Sequence, residues 1–271
     1  MSTAKEWATS RDGARIGWER VGEGSPLLVI HGGARAGKHY RALAEGLAAS
    51  HTVLLMDRRG RGLSHPEVCP DLETALDDVG AVLKASGAEC VFGHSAGAVL
   101  ALEAARRFPI RALAVYEPPL LEAGLPLEWV PAFEAALAAD DSARAFLLLA
   151  RGLKMGVPAW LPDWVARLPL SLMMHTAEGR EMAALLETIP ADLKLAHATR
   201  SADYAHIRAR TLILSGSESP DYLRKAAERL RTLIPNAQSV ELPGQAHNAP
   251  DMTAPAEVAK VLSDFLAEAS S

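Results

Sequence analysis

The chain is short of cysteine, of aromatic residues and of long apolar runs. Its 271 residues hold two cysteines, Cys69 and Cys90. That is too few for a disulfide-stapled secreted scaffold. Cys90 falls in an apolar run and Cys69 in a proline-flanked loop, so both read as reduced thiols in a cytoplasmic setting. The two also make a poor zinc site, and no metal or cofactor is expected. No apolar stretch reaches the roughly 18 residues that a membrane helix needs. The opening stretch, MSTAKEWATS, has no apolar signal core. Membrane insertion and secretion are therefore not expected. There is no block of Lys or Arg either. The formal net charge is −5 with both signs interleaved, which argues against a nucleic-acid or anionic-membrane surface.

What is present is an ordinary globular balance, 49% hydrophobic and 23% charged, long enough to bury one sizeable core. Asp12-Gly13 between two short β-prone stretches within 5–21 reads as a hairpin. Short apolar runs at 26–30, 52–56, 89–92 and 110–116 read as buried strands. Helical spacing falls between them at 39–49, 71–86 and 96–108. The alternation argues for a mostly parallel, doubly wound α/β sheet with helices on both faces and right-handed crossovers. It breaks from 118 to 206, where no strand is convincing and prolines recur at 118, 119, 126, 131, 158, 162, 169 and 190. It resumes with a strand at 211–214, a helix at 221–233, a strand at 239–242 and a helix at 255–268. The expected organisation is a core of 1–117 and 207–271 with a helical cap, 118–206, inserted into it.

Gly93-His94-Ser95-Ala96-Gly97 lies between a predicted strand and a predicted helix. A tight strand–turn–helix bend lifts a serine hydroxyl above the sheet, and small flanking residues let strand and helix approach. Alone the pentapeptide could be a simple turn. His31-Gly32-Gly33-Ala34 follows an earlier strand and can bring a backbone N–H to the same place. The candidate oxyanion donors are the amides of Gly33 and Ala96. His31 reads as a structural holder of that loop. Asp57-Arg58-Arg59-Gly60-Arg61-Gly62 fits no phosphate-binding spacing and reads as a loop beside the site entrance. His247 sits in a loop after the last strand, where a general base could reach Ser95.

The order and spacing of these motifs, with Gly244-x-x-His247 at the end, resemble the α/β-hydrolase superfamily over about residues 10–268. The resemblance implies a serine–acid–histidine triad, a backbone oxyanion hole and a cap. The family's usual acid position, three residues after Gly216, holds Ser219. Some members carry the acid on the strand after the nucleophile helix instead, and here that strand ends in Glu117. Glu117 is the expected acid, with Asp221 and Glu218 as alternatives. Asp221 is equally explained as a helix N-terminal residue. A serine nucleophile favours acyl transfer, most plainly hydrolysis of a carboxylic ester. The expected partner is a small apolar ester or acyl substrate. Trp129, Trp160, Trp164, Met155, Met173 and Met174 are candidate wall residues of its pocket, or simply cap packing. A C–C bond hydrolase, a cofactor-free perhydrolase and a non-catalytic ligand-binding protein on the same fold stay open.

Overall fold

The computed structural model describes residues 3–69, 71–158 and 160–268. The hairpin expected around Asp12-Gly13 is antiparallel strands β1 (Thr3–Thr9) and β2 (Arg15–Val21). The chain then alternates through β3 (Ser25–Ile30), α1 (Arg41–Leu47), β4 (His51–Met56), α2 (Leu72–Ser86), β5 (Cys90–His94), α3 (Ala96–Arg107) and β6 (Ala112–Tyr116). Helices α4 (Val130–Ala138), α5 (Ser142–Gly152), α6 (Asp163–Met174), α7 (Ala177–Leu186) and α8 (Ile189–His197) follow. The described residues between β6 and β7 form no strand. β7 (Arg210–Gly216), α9 (Asp221–Leu233), β8 (Ala237–Leu242) and α10 (Pro255–Glu268) complete the chain. The helix expected from 39 begins as a short 3-10 turn, Gly37–Tyr40, and becomes α-helical at Arg41.

The strands form one sheet in the order β1-β2-β4-β3-β5-β6-β7-β8, parallel from β4 through β8. The inner strands are apolar because both of their faces are covered. α2, α3 and α9 bury one face, with Val79, Leu100 and Leu230 fully enclosed. α1 and α10 bury the other, around Leu43, Leu47 and Leu262. Helices α4–α8 share a smaller apolar cluster, centred on Phe133 and Leu186, that also takes in Ala34. Among the described residues no helix is long and apolar enough to cross a membrane.

This topology decides the position of the site. β5, β6 and β7 are adjacent and parallel, so their carboxyl ends open onto one place. Ser95 directly follows β5 and Glu117 directly follows β6, and the β8–α10 loop brings His247 over both.

Candidate active site

Ser95 links β5 to α3 with φ 54° and ψ −123°, a conformation L-residues avoid. The bend holds because the residues two before and two after it, Gly93 and Gly97, have no side chains. A Cβ on Gly93 would sit 2.5 Å from Gly97 O, and one on Gly97 2.2 Å from Ile30 O. The Ser95 N–H is tied to Tyr116 O at 2.9 Å. Its hydroxyl does not cap α3 and is free to turn to the histidine.

His247 joins the serine to the acid. The Ser95 hydroxyl lies 3.0 Å from Nε2, and Nδ1–H donates to Glu117 Oε2 at 2.7 Å. The other Glu117 oxygen accepts the Gly216 N–H at 2.7 Å. Glu117 is fully buried, with φ +49°. Burial works to raise its pKa, but the bonds from His247 and Gly216 outweigh it and hold the carboxyl below its ordinary range. Ser219 lies against the same carboxylate and adds to this, without a hydrogen bond of normal geometry. The residue three after Gly216 thus faces the Glu117 carboxylate. Glu218 is exposed, and Asp221 pairs with Arg224 on α9. Neither bonds His247.

The histidine loop is pinned from below. The Tyr116 hydroxyl donates to Ala246 O at 2.8 Å, and His94 Nε2–H donates to His247 O at 2.8 Å. His94 Nδ1 in turn accepts from the Tyr40 hydroxyl at 2.5 Å, and that hydroxyl accepts the Gly32 N–H at 3.0 Å. Burial pushes the His94 pKa down to about 4, with His247 nearby adding to the effect. Neutral His94 can therefore accept at one nitrogen and donate at the other. Sequence reasoning passed over Tyr40 and His94. The visible signal was a histidine inside an apolar strand, beside the nucleophile.

The amides of Gly33 and Ala96 make no hydrogen bond to any described residue. Gly32 and Gly33 border a cavity of about 120 Å³ that also opens onto Ser95 and His247. His31 is buried and structural, as expected. Its Nε2 accepts the Arg58 N–H at 3.1 Å, so the proton is on Nδ1, which donates to Gly32 O at 2.8 Å. Burial first, then Arg58 and Arg61, keeps its pKa well below the usual histidine range.

The apolar wall of the cavity comes from Phe146, Leu149 and Leu153 in and just after α5, with Met155, Met182 and Ile189. Its polar rim is Arg35, Asn248 and Asp251, and Arg35 is ion-paired to Asp251. Of the side chains expected to wall the pocket, Met155 alone among the described residues does so. Trp129 packs edge-on against Phe133 at 5.3 Å and donates to Pro126 O at 2.9 Å, within the apolar cluster around Phe133. Trp160 and Trp164 are 81% and 74% exposed. Met174 packs against the same cluster, and Met173 is half-buried on α6. These side chains misled because helix-spaced apolar residues look the same whether they face a cavity, a core or solvent.

A sequence profile of the alpha/beta hydrolase family matches residues 27–261. The solved structure of an alpha/beta hydrolase from Sphaerobacter thermophilus superposes with a TM-score of 0.81 at 33% identity, covering 96% of this chain and all of that one. The RutD protein of Azorhizobium caulinodans, to which carbamate hydrolase activity is ascribed, is 28% identical over 86% of this chain and 88% of its own length. A pimeloyl-[acyl-carrier protein] methyl ester esterase of Xanthomonas campestris is 37% identical over 97 residues, 35% of this chain and 37% of the esterase.

Proposed function

Since the chain belongs to the alpha/beta hydrolase family, we propose that it is a serine hydrolase acting through an acyl-enzyme on a carboxylic ester or a related acyl substrate. The observation that carries this reading is one imidazole within hydrogen-bond reach of a strained serine and a buried carboxylate. Ser95 Oγ attacks the substrate carbonyl as its proton passes to His247 Nε2. Glu117 holds the Nδ1–H tautomer and stabilises the imidazolium. The tetrahedral oxyanion forms against the amides of Gly33 and Ala96. His247 then protonates the leaving alcohol, and the bond from the carbonyl carbon to that oxygen breaks. Water, deprotonated by His247, attacks the acyl-enzyme, and Ser95 departs with the proton returned.

Helices α4–α8 act as a cap whose apolar wall receives the acyl group. A cavity of about 120 Å³ suits a short chain. The resemblance to RutD favours a second reading, carbamate hydrolysis, which the same attack on a carbonyl accommodates.

The test is a panel of p-nitrophenyl esters from acetate to decanoate beside an N-unsubstituted aryl carbamate. The expected result is turnover that peaks at short acyl chains and falls by about 10⁴-fold or more in Ser95→Ala. Faster carbamate turnover would move the substrate class to the second reading. Undiminished turnover in Ser95→Ala would reject both.

A further inference from the structure

The peptide that joins Gly32 to Gly33 is gripped from one side. Its carbonyl oxygen accepts from His31 Nδ1–H at 2.8 Å and from Arg58 Nη2–H at 3.2 Å. The peptide is trans, so the C=O and the following N–H point in opposite directions. Fixing Gly32 O toward Arg58 therefore turns the Gly33 N–H the other way, where Gly33 borders the cavity with Ser95. A guanidinium at the carbonyl also polarises the peptide and makes its N–H a stronger donor.

Arg58 is itself held by the cap. Its Nη1 and Nη2 donate to the two oxygens of Asp192 on α8 at 2.7 and 3.1 Å. The side chains of Arg58 and Asp192 are only 5% and 7% exposed. A buried guanidinium needs such a carboxylate, and the two-pronged geometry fixes its plane. α8 also rests directly on the loop. A Cβ at Gly33 would lie 3.1 Å from Ile189 Cδ1 and 3.2 Å from Asp192 Oδ2. Arg61 shares the same carboxylate, donating to Asp192 Oδ2 at 2.9 Å, but its other bond goes to Arg59 O and not to Gly32.

We infer that Arg58, clamped by Asp192, is a positioning residue that aims the Gly33 amide, so that seating of the cap helix on the core completes the oxyanion hole. This rests on the serine-hydrolase reading above. Arg58 touches no substrate; it acts through the peptide it orients.

The comparison of Arg58→Met with Arg61→Met tests it. Each variant removes one cation from the same buried cluster, and only the first removes a bond to Gly32 O, leaving that oxygen with His31 Nδ1–H alone. The readouts are kcat and KM on p-nitrophenyl acetate, the inhibition constant of phenylboronic acid, which places a negative oxygen in the hole, and the melting temperature. Arg58→Met is expected to lower kcat about 10- to 100-fold, less than outright loss of an oxyanion donor. KM is expected to stay within about three-fold, and boronate binding to weaken in step with kcat. Arg61→Met is expected to keep kcat and boronate affinity within about three-fold, whatever its melting temperature. Should Arg58→Met not fold, Arg58→Lys replaces it, because a lysine beside Asp192 keeps the charge but loses the planar two-pronged grip that fixes the donor toward Gly32 O. Unchanged kcat and boronate affinity in the Arg58 variant would overturn the inference. So would equal losses in both variants, which would mark the cluster as mere packing. If the wild type neither turns over esters nor is labelled on Ser95 by a fluorophosphonate, the underlying reading fails instead.

Discussion

Glu117 sits with φ +49° at the end of β6, in a region that costs a non-glycine residue about 1–2 kcal/mol. That cost is offset by what the conformation gives. The carboxylate turns inward, fully buried, to accept from Gly216 and His247 together. Glu117→Gln keeps the shape but removes the charge that favours the imidazolium. Its kcat is expected to fall by about 10⁴-fold in steady-state assays, with near-native melting. Asp221→Asn and Glu218→Gln are expected to stay within about two-fold of wild type, since surface substitutions away from the site rarely matter. Ser219 lies against the same carboxylate, so Ser219→Asp added to Glu117→Gln should recover part of the lost kcat. No recovery would mean that residue 219 cannot present a carboxylate to His247. That Glu117 would be buried against a partner was legible, because a glutamate closing an apolar strand needs one. Arg58 and Asp192 were not, because 134 residues separate them and neither pattern nor propensity links such a pair.

At the scale of elements, α3 meets β3 and β5 more closely than side chains allow. A methyl at Gly97 would lie 2.2 Å from a strand carbonyl that cannot retreat without disturbing the parallel ladder. Gly97→Ala is expected to destabilise the fold by about 3 kcal/mol, read as an earlier midpoint in urea. An unchanged midpoint would mean that the helix can slide, and the nucleophile bend would then be less constrained than its geometry implies. The alternating elements were readable from period alone. Strands buried on both faces give short apolar runs, and the helices between them keep a 3.6-residue stripe. The helices from 118 to 206 were readable as helices but not in their roles. Trp164, Leu168 and Leu172 recur along α6 like a core stripe, yet all three are exposed. The π-helical turn Ala249–Thr253, which places Asp251 opposite Arg35, also carries no sequence signature.

Over the whole molecule, the buried histidines make stability depend on pH. His94 keeps a folded pKa of about 4 because burial penalises its charged form, and His31 is pushed down for the same reason. In the unfolded chain both titrate near 6.5. Between these values the unfolded state binds more protons, so stability is full above about pH 6.5 and is lost as pH falls toward 4. The share of His94 is on the order of 3 kcal/mol. Asp57 and Glu103, whose pKa values burial raises, oppose this trend nearer pH 4. Urea midpoints at pH 7.5, 6 and 5 should fall steadily in the wild type and more shallowly in His94→Gln. Equal slopes would show that His94 does not stay neutral in the fold.

Intact-protein and peptide mass spectrometry after reaction with one equivalent of a fluorophosphonate tests the central claim most directly. One adduct per chain is expected, carried by Ser95, forming in parallel with loss of ester turnover and slowed strongly in Glu117→Gln. An adduct on another residue, or a folded protein that stays unmodified while hydrolysing esters, would contradict it.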